Sequence, residues 1–470
     1  VFARNSRPLP SIETQRYGIQ ESPLKLAKPV AALCAALLLP LLLAPASNGQ
    51  QNAAAPAPAP KPAAAPTDPA TLLRAGHFAE AERLYLQTIA KDPHNFTALV
   101  QLGQIALLAD RLDDADRWLA KAHGANPTDA GVKIMQAESL YRRNQFPAAA
   151  AALDGVNPND AALKPYSTLN VKKIAAFQGL TPYEFSGAGE VTHVKFVTAV
   201  ALPVINVRIN GGREVSMFID TGGSELLLDS DFAKEIGVQT LGSVEGSFSG
   251  GQQAPVGNGK IDSLTLGDWT VKNVPVGMIP LRSLSQPLGV KELDGCVGTN
   301  VLYQFLATMD YPAGELTLRR KTPEAEKAFH LALGKSAVSV PMWLQGDHFM
   351  VAWGRIEKMP PALFFVDSGL EGAGIKLSME EIHSAGLKLD ESKASKGEGG
   401  AGSFTTTPFN VPHFAMSSIT ATNLAGIYDG PLLWAEGWPF ASPGMVGDYF
   451  LKPYRVTYDF STMRIICEKP

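Results

Sequence analysis

Cysteine is scarce. Cys34, Cys296 and Cys467 are the only three in 470 residues, too few for a disulfide-built scaffold, so the fold has to rest on apolar cores. If Cys34 leaves with a targeting segment, Cys296 and Cys467 could pair, although buried free thiols are the first expectation. Positive charge is not in excess: 41 Lys and Arg against 45 Asp and Glu give a net charge of −4, which leaves no basic footprint for nucleic acid. The chain has no His-Glu-x-x-His and no Gly-x-Ser-x-Gly, so zinc-peptidase and serine-nucleophile chemistry have no anchor. Gly334-Lys335-Ser336 lacks the leading glycine of a phosphate loop, because position 329 is Phe329. The eight histidines, among them His193, His348 and His413, read as surface or satisfied interior residues, and Trp343, Trp353 and Trp434 as core or cleft wall. No metal and no other cofactor is called for.

The length suggests three or four units, and composition marks their borders. Residues 1–46 read as an N-terminal tail and signal peptide: Lys25 and Lys28 precede the apolar run Val30–Leu43, which exits through Ala44-Pro45-Ala46. Export to the periplasm or beyond is expected, and residues 30–46 would anchor the chain in a membrane only if they were retained. Residues 47–70 are rich in Ala and Pro, an extended spacer that packs no core. Over residues 71–160 self-similarity appears at a period of 34: Phe78, Leu112 and Phe146 share a register, as do Ala81, Ala115 and Ala149, and Pro93 and Pro127. This stretch resembles the tetratricopeptide repeat, an array of helical hairpins whose surface implies a docked protein partner; a plain spacer is the alternative. Residues 161–190 have no clean period and read as a connector.

The chemistry is expected in the remainder, all-β by its strand patterns. Phe218-Ile219-Asp220-Thr221-Gly222 and Phe365-Val366-Asp367-Ser368-Gly369 each end an apolar run with an acid, a hydroxyl residue and a glycine. A carboxylate at the end of a buried strand needs a partner in space. The landmarks downstream are also doubled: Gly295 stands 75 positions after Asp220 and Gly444 stands 77 after Asp367, while the strand acids Asp310 and Asp459 follow at 90 and 92. Such repetition is not expected of two chance turns.

Together these motifs resemble the bilobal pepsin and retropepsin-like aspartic peptidases. The resemblance implies a double barrel, with lobe 1 at 191–322 and lobe 2 at 323–470, and an endopeptidase acting on polypeptide substrates. Asp220 and Asp367 would be catalytic, Thr221, Gly222, Ser368 and Gly369 would support the two turns, and Phe248 and Phe404 would sit on flap loops. The pattern departs from the family at Gly223 and at Leu370 and Glu371, where hydroxyl support is usual, and Gly298-Thr299-Asn300 differs from Gly447-Asp448-Tyr449. Those departures leave a second reading open, a non-catalytic envelope scaffold that binds peptides in a degenerate cleft.

Overall fold

The periodic region turns helical because each 34-residue unit carries its own start and turn signals. The computed structural model describes residues 68–469 except 164, 165 and 167, so the expected signal segment and nearly all of the spacer lie outside the described residues. Six helices follow: α1 Pro69–Arg74, α2 Phe78–Lys91, α3 Phe96–Leu108, α4 Leu112–Ala125, α5 Ala130–Arg142 and α6 Phe146–Ala152. Asp68, Asn95 and Asp129 cap α1, α3 and α5 by accepting an N–H of the first turn. The first helix therefore begins inside the stretch expected to be spacer. The turns joining each hairpin place Gly76, Asp110 and Asn144 at φ of +80, +53 and +59, a left-handed conformation that Gly, Asp and Asn reach most easily. Ala81, Ala115 and Ala149 are fully buried where helices cross. A Cβ on Gly103 would come within 2.6 Å of Leu119.

The segment expected to be a connector is part of the core. It forms α7, Val171–Ala175, capped by Asn170, and buries Lys173, Phe177 and Tyr183. A five-residue helix is too short to show a period, so periodicity does not reveal it.

The β region is written twice. In lobe 1 the strands Val204–Ile209 and Glu214–Ile219 form a hairpin whose turn, closed by the Gly212 N–H on the Ile209 carbonyl, holds Asn210 and Gly211 at φ of +51 and +69, a conformation that Asn and Gly reach most easily. In lobe 2, Phe349–Ile356 and Ala362–Val366 pair in the same sense. One six-stranded sheet joins the lobes, in the order Val191–Thr198, Glu315–Arg320, Phe305–Asp310, Arg455–Asp459, Arg464–Glu468 and Val338–Gln345. At its centre Thr308 faces Thr457, hydroxyl to hydroxyl at 2.8 Å. The two acid-bearing closing strands are thus the seam.

The helices and the barrels are one compact unit. Leu72, Leu73, Phe78 and Tyr85 share an apolar cluster with Val351, Leu363, Phe365, Leu370, Trp438 and Phe440 of lobe 2. Phe78 meets Trp343 and Phe440 edge to face, with centroids 5.3 and 5.4 Å apart. On the lobe 1 side Tyr141 and Phe146 join the main core. Each hairpin turn also touches the β region. A Cβ on Gly76 would lie 2.6 Å from Leu363, Asp110 accepts the Tyr303 hydroxyl at 2.9 Å, and Asn144 donates to Gln304 at 2.9 Å.

Candidate active site

Each aspartate stands where a buried strand ends and the chain must turn. Glu214–Ile219 delivers Asp220, and Ala362–Val366 delivers Asp367. Beside each lies a short parallel strand, Gly295–Val297 in one lobe and Gly444–Val446 in the other. The N–H of Asp220 donates to the Val297 carbonyl at 3.1 Å and that of Asp367 to the Val446 carbonyl at 2.9 Å. The glycine-bearing elements whose spacing the sequence repeats are therefore the supports beneath the two turns.

The turns then lock onto each other. The N–H of Thr221 donates to Oγ of Ser368 at 3.0 Å, and the N–H of Ser368 donates to Oγ1 of Thr221 at 2.8 Å. Each hydroxyl passes its own proton on, Thr221 to the Val366 carbonyl at 3.0 Å and Ser368 to the Ile219 carbonyl at 3.4 Å. Both residues are fully buried. Ser368→Ala would leave the buried Thr221 N–H without its acceptor. The expected cost is about 1–3 kcal/mol, read as a lower denaturation midpoint with unchanged slope.

The lock fixes the acids. The Gly222 N–H holds Oδ1 of Asp220 at 2.7 Å and the Gly369 N–H holds Oδ1 of Asp367 at 2.8 Å. A Cβ on Gly222 would sit 2.6 Å from Oδ1 of Asp367, and one on Gly369 closer still to Oδ1 of Asp220. Both glycines are needed to admit the opposite carboxyl group. The two carboxyl groups lie within hydrogen-bonding reach of each other. Burial, then the negative charge of Asp220 and the hydrogen bond to it, hold Asp367 well above the ordinary carboxylate range. Burial raises Asp220 as well, against its hydrogen bond with Asp367 and the N–H groups of Gly222 and Gly223. Two like charges this close do not ionise together, so the pair favours a single shared proton.

Above the acids opens a cleft of about 450 Å³. Leu202, Phe218, Leu227 and Leu281 line it from lobe 1, and Phe349, Phe365 and Trp434 from lobe 2. Of the two expected flap aromatics, Phe248 lines the cleft and Phe404 does not. Phe404 instead packs under Gly250, whose added Cβ would clash with its ring, while Gln252 donates to the Ser403 carbonyl at 2.9 Å. Phe404 clasps the two hairpin tips together, because the glycines at 250, 397 and 399 leave room for its ring between them.

The departures from the family pattern have local causes. Leu370 is buried in the apolar cluster shared with α1 and α2, so the position serves packing against the repeats. Gly223 sits against Cys296, where an added Cβ would be 3.2 Å from the sulfur. Cys296 and Cys467 are both free and buried.

Sequence reasoning missed two groups. His348, read as a surface or interior residue, is 6% exposed and lines the cleft. Its Nδ1 is bonded to Asp347, which also accepts the Thr168 N–H at 2.8 Å. Glu225, a further cleft residue, is bound by the buried Lys173 at 2.7 Å. Neither group lies in a local pattern that would have marked it.

Comparison with known proteins matches two stretches of the chain. Residues 205–301 match the family model described as aspartyl protease, and residues 71–130 match that of the tetratricopeptide repeat. No curated protein matches the chain. The aspartyl protease match covers residues 205–301 of the first lobe, Asp220 among them; in the second lobe the N–H groups of Asp367 and Gly369 repeat the hydrogen bonds made by those of Asp220 and Gly222.

Proposed function

We propose that this chain, which joins a tetratricopeptide-repeat region to an aspartic-protease-like domain, is an endopeptidase that hydrolyses polypeptides with a water activated between Asp220 and Asp367. The observation that carries the reading is the reciprocal Thr221–Ser368 lock, which brings two carboxyl groups into hydrogen-bonding reach at the floor of one cleft.

Amide hydrolysis needs a stronger nucleophile on one side of the carbonyl and a proton on the other. The ionised member of the pair takes a proton from water as its oxygen attacks the carbonyl carbon, while the protonated member donates to the carbonyl oxygen. The tetrahedral adduct then collapses: one of its two hydroxyls returns a proton to the pair as the C=O bond re-forms, the C–N bond breaks, the amine leaves with a proton from the pair, and the pair is left with one proton. The backbone N–H groups of Gly222 and Gly369 keep both acids aimed at the same point throughout. The cleft walls supply apolar surface for side chains on either side of the scissile bond.

The tetratricopeptide region supports a role in protein interaction. Part of its surface is committed to the barrels, and residues left exposed on α2 and α4, such as Glu80, Arg83 and Arg117, remain for a client or partner. Lys25, Lys28 and the apolar run that follows support export to the periplasm or beyond.

The test is to incubate the chain with an unfolded protein from mildly acidic to neutral pH and identify new termini by mass spectrometry. Cleavage should be blocked by a peptide carrying a secondary alcohol in place of the scissile amide, because that group mimics the tetrahedral adduct. Peptide that binds but stays intact over the whole range would instead make the chain a peptide-binding scaffold.

A further inference from the structure

Tyr141 and Arg142 are neighbours in the last turn of α5, yet they reach different lobes. The Tyr141 hydroxyl donates to the carboxylate of Glu225, which Lys173 of α7 also holds, at 2.7 and 2.8 Å. Glu225 ends the loop that begins at Asp220, and its carbonyl accepts the Gly298 N–H at 2.9 Å. Arg142 turns the other way. Its Nη2 donates to the carbonyls of Gly346, at 2.6 Å, and Leu344, at 3.2 Å, while Nη1 is held by the Leu107 carbonyl at 2.7 Å and by Asp110 at 3.2 Å. Glu138 completes the cage around the guanidinium. The turn that Arg142 grips leads directly into Asp347 and His348, and His348 faces the cleft.

Packing does not call for these charges. A buried ion pair can often be replaced by apolar groups of similar size with no loss of stability, and α5 already buries Ile134 and Tyr141 in the main core. What the charged groups add is direction. The two prongs of the planar guanidinium hold the Leu107 carbonyl of α3 on Nη1 and the Gly346 carbonyl on Nη2 in one fixed arrangement, which an apolar contact does not do. The same helical turn thus sets one loop from each lobe, both of which line the cleft.

We propose that the last turn of α5 is an active-site clamp, in which Tyr141 and Arg142 are positioning residues that hold the Asp220–Glu225 loop and the His348-bearing turn in register. The inference rests on the peptidase reading above. It makes the third repeat a working part of the cleft, although none of its residues lines it.

The experiment uses the full chain with Tyr141→Phe and Arg142→Lys. The first removes a single hydroxyl and leaves Lys173 on Glu225; the second keeps the charge and loses the fork. Competent sites are counted by titration with the secondary-alcohol peptide, and kcat is expressed per site. Because displacement by about 1 Å can cost up to about 100-fold, the expected loss per site is about tenfold for Arg142→Lys and about threefold for Tyr141→Phe, with KM changing by less than about twofold. Arg142→Lys should also cost less in a His348→Ala background than alone, since it acts through that turn. Should Arg142→Lys fail to fold, Tyr141→Phe carries the test. A structural role alone would lower the number of titratable sites and leave kcat per site unchanged, which overturns the clamp. The peptidase reading fails separately, by absence of turnover in the unaltered chain. The variants are then judged by affinity for the alcohol peptide: a loss of about tenfold supports the clamp, and unchanged affinity overturns it.

Discussion

On the peptidase reading, Asp220→Asn and Asp367→Asn are each expected to lower kcat/KM for peptide cleavage by about 10³- to 10⁴-fold, and both are expected to make the folded chain more stable at neutral pH. The two effects share one cause. Either amide removes the group that must exchange a proton with water or with the carbonyl oxygen, and the remaining carboxylate cannot perform both tasks. The stability gain follows from the direction of the pKa shifts. Both acids sit above the ordinary carboxylate range in the folded chain, with burial the largest cause. On unfolding each returns to about 3.9. Between that value and the folded one the unfolded chain binds fewer protons, so stability falls as pH rises. The contribution is fully present below the unfolded value and lost as pH climbs through the folded one. An asparagine carries no such penalty. Denaturant midpoints should therefore differ little at about pH 3.5 and separate in favour of the variants at about pH 7. A variant that loses activity and is equally destabilised at both pH values would show that the acids serve the fold instead of the reaction.

The dyad was legible because a turn after a buried strand is a local event, and here it was written twice with the same landmarks behind it. Thr221, Ser368 and the glycines came with it for the same reason. The period of 34 was equally local, and the turn residues Gly76, Asp110 and Asn144 are the physical reason it exists. What escaped were partners brought together from far apart in the chain. Lys173 meets Glu225 across 52 positions and Arg142 meets Gly346 across 204. In sequence, Arg142 and Arg143 lie in a stretch read for its helical period alone, and Lys173 in one read as a connector. No periodicity announces that such a charge is buried, because its burial depends on a surface supplied by another domain. Phe404 was misplaced for a related reason. A glycine-rich hairpin tip with one aromatic is the same pattern whether the ring faces the cleft or the neighbouring tip, and only the opposing glycines decide.

The repeats and the barrels should unfold together, and a chain trimmed to residues 161–470 should not yield a soluble, active barrel. Trimming would uncover Val351, Leu363, Phe365, Leu370, Trp438 and Phe440, which now meet Leu72, Leu73, Phe78 and Tyr85. Full burial of an apolar side chain of that size is worth about 1.5–3 kcal/mol. Losing four such contacts approaches the entire net stability of a domain, about 5–15 kcal/mol. The same cut would release the Arg142 grip on Gly346 and the Tyr141 bond to Glu225, so both cleft loops would lose an anchor along with the wall. The uncovered patch is also aromatic and contiguous, the kind of surface that drives association. The trimmed chain is therefore expected to aggregate and to bind a hydrophobic dye, while the full chain shows one cooperative transition by circular dichroism and by tryptophan fluorescence, which reports Trp343, Trp353 and Trp438 at the junction. A soluble fragment that cleaves at the full chain's rate would mean that the helices are only attached to the barrels. Coincident loss of solubility and activity would mean that the exposed helix faces belong to a surface mechanically continuous with the cleft.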